Sequence, residues 1–243
     1  MMSPDEKLYH LGEIVSPLLT SPRKLSALRH DADSANACFI FLDAELFLDR
    51  VQAAPLITHL RMEEKLRGVT AVFVSSLNAA ARHADYTCNA TYARFLATDL
   101  IAWIERELEP HPQYILCGLS LSGLQAAFTA LSYPAVFRAA LCQSPSAWWN
   151  HEWLAQQVPS LTSRPQRFWL SVGTEELQQD VSHAPSGMFQ GVNQLDSCRR
   201  LTTALQAAGH QVHPHEYAGG HDPNCWAKEL TDALRWLLTA PEP

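Results

Sequence analysis

The sequence predicts an α/β fold in which a mostly parallel central sheet has helices on both faces. Two observations lead to this prediction. Short apolar runs of strand length alternate along the chain with longer segments whose apolar residues recur at helical spacing. The runs are apolar throughout, without the alternation of a half-exposed sheet, which indicates strands that are buried on both sides. Alternating strands and helices are typical of βαβ units and therefore of parallel sheets.

Six segments, most of them apolar or β-branched, are predicted to be strands. The first, ACFIFLDA, is continuous and ends in a turn-like acid, and the second, TAVFVSS, combines β-branched and aromatic residues. In a sheet of this kind, ligands bind beyond the carboxyl ends of the strands, so the residues that follow each strand matter most. The predicted strands cover residues 37–44, 70–76, 114–118, 137–144, 167–173 and 210–219.

Four segments are predicted to be helices. YARFLATDLIAWIERELEP has apolar residues at helical spacing and stops at Pro110, and LQAAFTALSYP stops at Pro134. Proline cannot continue a helix, because it lacks the backbone donor and its ring clashes with the preceding turn. The predicted helices cover residues 92–110, 124–134, 192–208 and 223–239.

The size and composition of the chain fit a single domain over residues 1–243. A chain of 243 residues with 47% hydrophobic content can bury one large core. A charged fraction of 18% argues against disorder. The net charge of −7, with no run of lysine and arginine, argues against a nucleic-acid partner. Nothing in the composition predicts an oligomeric state.

The sequence favours a cytoplasmic protein that does not enter the membrane. An acidic pair, Asp5 and Glu6, stands where a signal peptide would be basic. No apolar stretch reaches the about eighteen residues that span a bilayer.

There are six cysteines and no C-x-x-C pair, which argues against a zinc ribbon. Cys38, Cys117 and Cys142 lie inside apolar runs and are predicted to be small buried side chains. A domain this large does not need disulfides.

The stretch YILCGLSLSGL, residues 114–124, predicts a catalytic nucleophile. A strand ends at Gly118, the chain turns around Ser120, and Ser122 and Gly123 open a helix. This is the context of the G-x-S-x-G elbow, in which small residues flank a strained serine, with Ser122 in place of the second glycine. The elbow would turn the Leu121 amide toward a developing oxyanion. The alternative interpretation is that the two serines simply cap the helix.

A serine nucleophile needs a base and an orienting acid, and in this fold the chain order is Ser, acid, His. EYAGGHDPNCW places His221 just past a predicted strand, after two glycines that let the backbone turn sharply. RFWLSVGTEEL places Glu175 and Glu176 past another strand, and we prefer Glu176. Both acids could equally belong to the first turn of a helix, which favours acids. The upstream histidines alternate along a strand and are predicted to be core or solvent-facing: His210, His213 and His215.

Taken together, these segments resemble the catalytic domain of enterobactin (enterochelin) esterases. That family comprises bacterial hydrolases of ferric catecholate siderophores, in the putative-esterase branch of the α/β-hydrolases. FIFLDAELF is similar to the family's LLDG strand end, with Ala44 where glycine is usual. GLSLSGLQA resembles its elbow, RHADYTCN its arginine–acid–cysteine–asparagine segment, and CQSPSAWW a serine- and tryptophan-bearing strand end. GGHDPNCW is similar to its histidine segment.

The resemblance implies an α/β-hydrolase fold and roles for individual residues. Ser120 would be the nucleophile, His221 the base and, from the G-x-x-E spacing, Glu176 the acid. The Leu121 amide and a second amide near Ala44–Glu45 would form the oxyanion hole. The residues implied to line the substrate pocket are Arg82, Asn89, Trp148, Trp149 and Trp226, although ordinary core packing explains the tryptophans equally well. Cys88 and Cys225 would lie near the pocket rim, and whether they form a disulfide stays open.

The implied activity is hydrolysis of a small-molecule carboxylic ester through a Ser-His-Glu triad, with no metal or organic cofactor. A ferric catecholate trilactone is one substrate that the resemblance implies. Such complexes are strongly anionic, whereas the basic residues of this chain are dispersed, with Arg23, Arg82 and Arg94 as candidates for a local positive site. The alternatives are a general carboxylesterase, a feruloyl or acyl-thioester hydrolase, and an inactive binding protein of the same fold.

Overall fold

The computed structural model describes residues 7–29, 36–63, 66, 68–184 and 186–239. Within them, eight strands form one mixed sheet, and two short strands form a separate hairpin. The strands of the large sheet are β1 (Leu8–Ile14), β2 (Arg23–Leu28), β3 (Ala37–Leu42), β4 (Val69–Val74), β5 (Tyr114–Leu119), β6 (Phe137–Gln143), β7 (Arg167–Gly173) and β10 (Gln211–Tyr217). The hairpin strands are β8 (Val181–His183) and β9 (Met188–Gln190).

The large sheet has the order β1-β2-β4-β3-β5-β6-β7-β10. Strand β2 is antiparallel to both of its neighbours, and all pairs from β4 to β10 are parallel. The carboxyl ends of β3, β5, β6, β7 and β10 therefore meet at one edge of the sheet. The predicted α/β class with a mostly parallel sheet is confirmed.

The described helices lie between these strands in the chain. They are α1 (Ala44–Asp49), α2 (Ala53–Met62), α3 (Ala79–Asp85), α4 (Ala90–Phe95), α5 (Ile101–Leu108), α6 (Leu121–Ser132), α7 (Trp149–Leu161), α8 (Gln194–Ala207) and α9 (Pro223–Leu238). A π-helical segment, Leu96–Leu100, joins α4 to α5, and residues 150–152 of α7 have positive φ and interrupt that helix. None of the described helices combines the length and the apolar character that crossing a membrane requires.

Two apolar cores lie on opposite faces of the sheet, because successive side chains of a strand point to opposite faces. In β3, Phe39 and Phe41 pack with α1, α2 and α9, whereas Cys38 and Ile40 pack on the side of α4 to α8. Every residue of β3, β4 and β5 is buried. This explains the solid apolar runs in the sequence, and it confirms that helices cover both faces.

The predicted burial of the core cysteines is confirmed, since Cys38, Cys117 and Cys142 are each 0% exposed. All six cysteines of the chain are free thiols. Cys88 and Cys225 therefore form no disulfide in this structure, which answers the question that the sequence left open.

Several element boundaries differ from the sequence prediction. Ala44 begins a helix instead of ending a strand, because Asp43 adopts a left-handed conformation with φ 59° and turns the chain. The helix predicted to reach Pro110 ends at Leu108, since the residue before a proline avoids the helical region. Helix α6 begins at Leu121 and not at residue 124. The sequence did not predict β1, β2, the β8–β9 hairpin, α1, α2, α3 or α7.

Candidate active site

The turn between β5 and α6 holds Ser120 in a strained backbone conformation, with φ 54° and ψ −123°. Such a conformation in a residue other than glycine costs on the order of 1–3 kcal/mol and persists only where its surroundings impose it. Here the Ser120 amide donates to the carbonyl of Gln143 at 2.9 Å, and the Ser120 carbonyl accepts from the amide of Ser146 at 3.0 Å. Two hydrogen bonds to the end of β6 and the loop after it thus fix the serine backbone.

Small side chains make this turn feasible. A Cβ atom at Gly118 would lie 2.2 Å from the backbone oxygen of Ser122, so no other residue fits there without moving the helix. The Ser122 hydroxyl donates to the Leu119 carbonyl at 2.8 Å and accepts from the Leu119 amide at 3.0 Å. The Ser120 side chain makes no capping hydrogen bond to α6. The turn therefore has the features of the predicted elbow, and the helix-capping interpretation does not account for Ser120.

His221 follows β10 and contacts an acidic side chain. Its Nδ1 atom lies 2.6 Å from Oε2 of Glu176. Gly219, with φ 142°, supplies the turn that brings the ring to this position. The ring packs at right angles to Trp226, with a centroid distance of 4.8 Å and an interplanar angle of 90°. The side chain of His221 is 43% exposed, so one part of the ring is packed and the rest faces open space.

Three further hydrogen bonds hold the Glu176 carboxylate. Its Oε1 atom accepts from the Ser144 hydroxyl at 2.6 Å, the Gly173 amide at 2.8 Å and the Tyr217 hydroxyl at 3.1 Å. Burial alone would raise the pKa of Glu176, but the hydrogen bonds from His221, Ser144 and Gly173 outweigh it and keep the pKa below its ordinary value. Glu176 is therefore a carboxylate at neutral pH. The structure places Glu176 against His221, whereas Glu175 is exposed.

Ser120, His221 and Glu176 all line one cavity of about 350 Å³. Ser146 lies beside the nucleophile candidate, with 3.4 Å between the two hydroxyl oxygens. The other lining residues are Trp148, Glu175, Gln178, His183, Gln190, Gln194 and Gly220. Lysine and arginine are absent from the described residues that line this cavity.

The β8–β9 hairpin forms one wall of the cavity. His183 stacks on Trp148 with ring centroids 5.0 Å apart and planes inclined by 10°. Nε2 of His183 lies 3.1 Å from Oε1 of Gln190 on the opposite strand, which fixes the ring. Gln194 also lines the cavity, and its Nε2 atom donates to the carbonyls of Ser144 and Pro145 at 2.6 and 2.7 Å, which fixes its side chain. The sequence prediction included none of the three polar residues His183, Gln190 and Gln194.

Of the five residues predicted to bind substrate, Trp148 lines the cavity. The Trp149 ring instead packs against Trp153 at 6.2 Å. Trp226 lies behind His221 and donates from Nε1 to the hydroxyls of Ser144 and Tyr217. Asn89 caps α4, since its side-chain oxygen accepts from the Thr91 and Tyr92 amides at 2.8 and 3.1 Å. These three side chains therefore have structural partners and are not among the residues that line the cavity.

Arg82 binds a carboxylate of the protein itself. Its Nε atom lies 2.9 Å from both oxygens of Asp43, and a terminal nitrogen lies 2.8 Å from Oδ2. Asp43 is 1% exposed, and burial raises its pKa although the arginine opposes that effect. In the structure, Arg82 thus pairs with the buried carboxylate of the residue just before Ala44 and is not among the residues that line the cavity, and substrate binding by Arg82 stays a prediction.

Two helix starts flank the elbow. Leu121 is the first residue of α6, and Ala44 is the first residue of α1. Strands β3 and β5 are neighbours in register, with Phe41 opposite Cys117, so both helix starts emerge at the same edge of the sheet. The first amides of a helix have no partner within it and can bind an anionic oxygen.

The carboxylate of Glu45, the residue after Ala44, has hydrogen-bond donors of its own. It accepts from the amide and the hydroxyl of Ser76, each at 3.0 Å, and from the hydroxyl of Ser75. These bonds direct the Glu45 side chain toward the end of β4. Among the residues that the structure describes, no group of three or more His, Cys, Asp and Glu side chains is arranged to hold a metal ion.

Comparison with known proteins matches residues 28–237 to the family described as Putative esterase. The iron(III) enterobactin esterase of Dickeya dadantii (strain 3937) is 33% identical over 184 residues, which cover 71% of this chain and 41% of that protein. Across the curated relatives it matches, the chain spans 41% to 58% of their length, about half.

Solved structures share the fold. The enterobactin esterase of Shigella flexneri, crystallised in the presence of enterobactin, superposes with a TM-score of 0.81 at 20% identity, covering 95% of this chain and 59% of that one. A siderophore hydrolase of Aspergillus nidulans gives a TM-score of 0.71 at 19% identity, covering 95% and 94%. Together with the family match over most of the sequence, the strained elbow and the parallel sheet lead to one conclusion: the chain belongs to the Putative esterase family.

Proposed function

We propose that this protein is a serine esterase that hydrolyses carboxylic esters, with Ser120 as nucleophile, His221 as general base and Glu176 as the orienting acid. The observation that carries the proposal is the 2.6 Å contact between His221 and Glu176 beside a cavity that Ser120 also lines. Membership of the esterase family supports the same reaction. A role confined to binding gives no reason for a strained serine and a carboxylate-paired imidazole in one cavity.

The first step is attack of Ser120 Oγ on the ester carbonyl. Because Nδ1 of His221 donates to Glu176, Nε2 is the free nitrogen that takes the serine proton. A bond forms between Oγ and the carbonyl carbon, and the electron pair of the C=O bond moves to its oxygen. Glu176 keeps the required tautomer and stabilises the imidazolium.

Backbone amides would stabilise the resulting oxyanion. The Leu121 amide at the start of α6 is one donor, and the amide of Ala44 at the start of α1 is the other. Glu45 is the weaker candidate, because its backbone amide hydrogen-bonds to its own carboxylate. One such donor is typically worth about 3 kcal/mol of transition-state stabilisation. Arg82 supports this half of the site by holding Asp43, the residue before Ala44.

Collapse of the tetrahedral intermediate breaks the bond to the leaving alcohol, which takes its proton from His221 Nε2. A water molecule then attacks the acyl-enzyme while His221 removes one of its protons. The second intermediate collapses to release the acid, and the proton returns to Ser120. Every proton transfer uses the same nitrogen, so the one contact with Glu176 serves both halves of the reaction.

Two substrate classes are candidates. Relatives named as iron(III) enterobactin esterases favour esters of catecholate siderophores. The cavity favours the second class, uncharged acyl esters. Its described lining contains carboxylates, amides and aromatic rings but no lysine or arginine to bind a strongly anionic iron complex. Its volume of about 350 Å³ suits a small acyl group.

A substrate panel separates the two classes. We would compare kcat/KM for a short nitrophenyl ester, a feruloyl ester, an acyl thioester and a catecholate trilactone with and without iron, using Ser120→Ala as the control. Turnover of the neutral esters alone supports the carboxylesterase, and preferred turnover of a trilactone supports the siderophore esterase. Failure of every ester to react faster with the wild type than with Ser120→Ala would contradict the proposed activity.

Two further expectations accompany this proposal. One continuous sheet contains eight strands, from β1 near the start of the described residues to β10 near their end. This supports a single domain across the described part of the chain. Six free thiols fit a reducing compartment, which supports the cytoplasm as the location.

A further inference from the structure

A second carboxyl group lies beneath the site, and the reaction steps above do not use it. Glu229 projects from α9, and its side chain is only 4% exposed. Its Oε1 atom accepts from Nε2 of Gln143 at 2.8 Å and from the hydroxyl of Ser171 at 2.6 Å. Its Oε2 atom lies 3.4 Å from Nε1 of Trp169 and 3.7 Å from Nε2 of His215. Glu229 thus joins the ends of β6, β7 and β10 to α9.

Gln143 connects Glu229 to the nucleophile. Gln143 is the last residue of β6, and its backbone carbonyl accepts the Ser120 amide at 2.9 Å. This is one of the two hydrogen bonds that fix the strained serine backbone. The side-chain amide of Gln143 is held in turn by Glu229 and by the carbonyl of Trp226, at 2.8 and 2.9 Å.

Trp226 connects the same network to the acid and the base. The rings of His221 and Trp226 pack at right angles, with centroids 4.8 Å apart. Nε1 of Trp226 donates to the Ser144 hydroxyl at 3.1 Å, and that hydroxyl donates to Glu176 at 2.6 Å. A short chain of contacts therefore runs from Glu229 to the nucleophile, the base and the acid.

An ionisable group at this position needs an explanation. Burial raises the pKa of Glu229 to about 7, although Ser171, Gln143 and Trp169 donate hydrogen bonds to it. The negative charge of Glu176 acts in the same direction as burial. An apolar side chain would fill the space without desolvating a carboxyl group, but it would deprive the buried Gln143 amide of one of its two acceptors. The carboxyl oxygen is thus suited to holding Gln143.

We propose that Glu229 is a positioning residue for ester hydrolysis, which acts by fixing Gln143 and, through it, the Ser120 backbone and the Trp226 ring against His221. This inference rests on the proposed function, because it assigns Glu229 a role in the same reaction. It concerns the geometry of the reacting groups and not contact with substrate, since Glu229 is not among the residues that line the cavity.

The test compares two variants of similar size with the wild type. Glu229→Gln keeps a carbonyl oxygen that accepts from Gln143 and Ser171, whereas Glu229→Met removes every acceptor. With a neutral nitrophenyl ester, we expect kcat of Glu229→Met to fall about 10- to 100-fold, because small misplacements of reacting groups have effects of that size. We expect KM to change by less than about threefold, and Glu229→Gln to stay within about threefold of wild-type kcat.

The matched control is Asp232→Asn, which removes an exposed carboxylate from the same helix and should leave both constants unchanged. If Glu229→Met does not fold, Glu229→Asp replaces it, because the shorter side chain withdraws the carboxylate from Gln143 and should also lower kcat. A kcat equal to that of the wild type in Glu229→Met would overturn the positioning role. If Glu229→Asp has to replace it, the same result in Glu229→Asp would overturn the role. An equal loss in Glu229→Gln would overturn it too.

Labelling by a fluorophosphonate separates this inference from the proposed function. A wild-type protein that is labelled at Ser120, together with unchanged kinetics of the Glu229 variants, overturns the positioning role alone. A wild-type protein that is not labelled overturns the proposed function, and the positioning role with it.

Discussion

Nδ1 of His221 lies 2.6 Å from Oε2 of Glu176, and the other oxygen of that carboxylate accepts three more hydrogen bonds. The carboxylate is therefore fixed before any substrate binds, and it fixes the imidazole in turn. Because Nδ1 is engaged with Glu176, Nε2 is the nitrogen that the proposed mechanism uses to take the Ser120 proton. The proposed base is thus oriented by a group that is itself held by the ends of β6, β7 and β10.

Glu176→Gln tests this arrangement. The amide oxygen can still accept from Ser144, Gly173 and Tyr217, but the amide nitrogen that faces His221 is a donor and favours the wrong tautomer of the ring. We expect kcat to fall about 10³- to 10⁴-fold, as for acid-to-amide changes in other triads, with the fold retained. The comparison variant is Glu175→Gln, which alters an exposed carboxylate that also lines the cavity but has no hydrogen bond to His221, so it should lower kcat far less than Glu176→Gln. Equal effects of the two variants would refute the assignment of Glu176.

Arg82→Met tests whether this arginine is structural. Removing one partner of a buried ion pair leaves an uncompensated charge, which typically costs about 3–5 kcal/mol. Since Asp43 is 1% exposed, we expect a loss of that order in the free energy of unfolding, measured by urea denaturation. Arg199→Met, which breaks an exposed pair with Glu216, should leave stability nearly unchanged, because solvent screens exposed ion pairs. A stable Arg82→Met protein with only a raised KM would restore the substrate-binding interpretation.

The pKa of Glu229 predicts a pH-dependent stability. Its ordinary pKa is 4.5 and its folded value is about 7, so between these values the folded state binds more protons than the unfolded state. Stability contributed by the neutral carboxyl is therefore fully present below about pH 4.5, declines as pH rises, and is gone above about pH 7. The shift corresponds to about 3 kcal/mol. Nε2 of His215 lies 3.7 Å from Glu229, so the difference in stability between wild type and variant is the relevant quantity.

In Glu229→Gln the side chain at this position cannot titrate, so this variant should not show the decline in stability as pH rises. Urea unfolding at several pH values between about 5 and about 8 measures the free energy of unfolding for both proteins. The wild type should lose stability relative to the variant as pH rises. A constant difference between the two proteins across this range would show that Glu229 does not titrate there.

The hairpin wall leads to a prediction about acyl-group binding. His183 covers one face of Trp148, and Gln190 fixes its ring. We expect His183→Ala to raise KM for an ester with an aromatic acyl group about tenfold, because aromatic contacts contribute about 0.5–1.5 kcal/mol beyond their buried area. KM for an acetyl ester should hardly change. Phe189→Ala is the matched control, since Phe189 lies on the same hairpin but is 54% exposed.

Much of the fold could be predicted because tertiary burial is visible in the sequence. The central strands of the parallel sheet are buried on both faces, so they appear as solid apolar runs, and the ends of β5 and β7 locate Ser120 and Glu176. His221 follows β10, a partly exposed edge strand. The hairpin gave no such signal, because β8 and β9 have three residues each and are only partly buried. His183 and Gln190 were missed for that reason.

Side-chain partners were harder to predict than positions along the chain. Arg82 and Trp226 stand in segments that resemble those of an esterase family and were therefore predicted to bind substrate. In the structure, Arg82 binds Asp43 and Trp226 packs against His221. A sequence pattern does not show whether a side chain points into a cavity or toward another side chain. Glu229 did leave a signal, because it stands three residues after Trp226 and one before Leu230 on the buried stripe of α9.

The most direct test of the account is covalent labelling of Ser120 by a fluorophosphonate, followed by intact-mass measurement and peptide mapping. A serine activated by His221 should react with one equivalent of the reagent, and only at Ser120. The Ser120→Ala protein should remain unlabelled, and Ser122→Ala should not prevent the reaction if it folds. A wild-type protein that stays unmodified under conditions that label a known serine esterase, or that carries the label on another residue, would contradict the central claim.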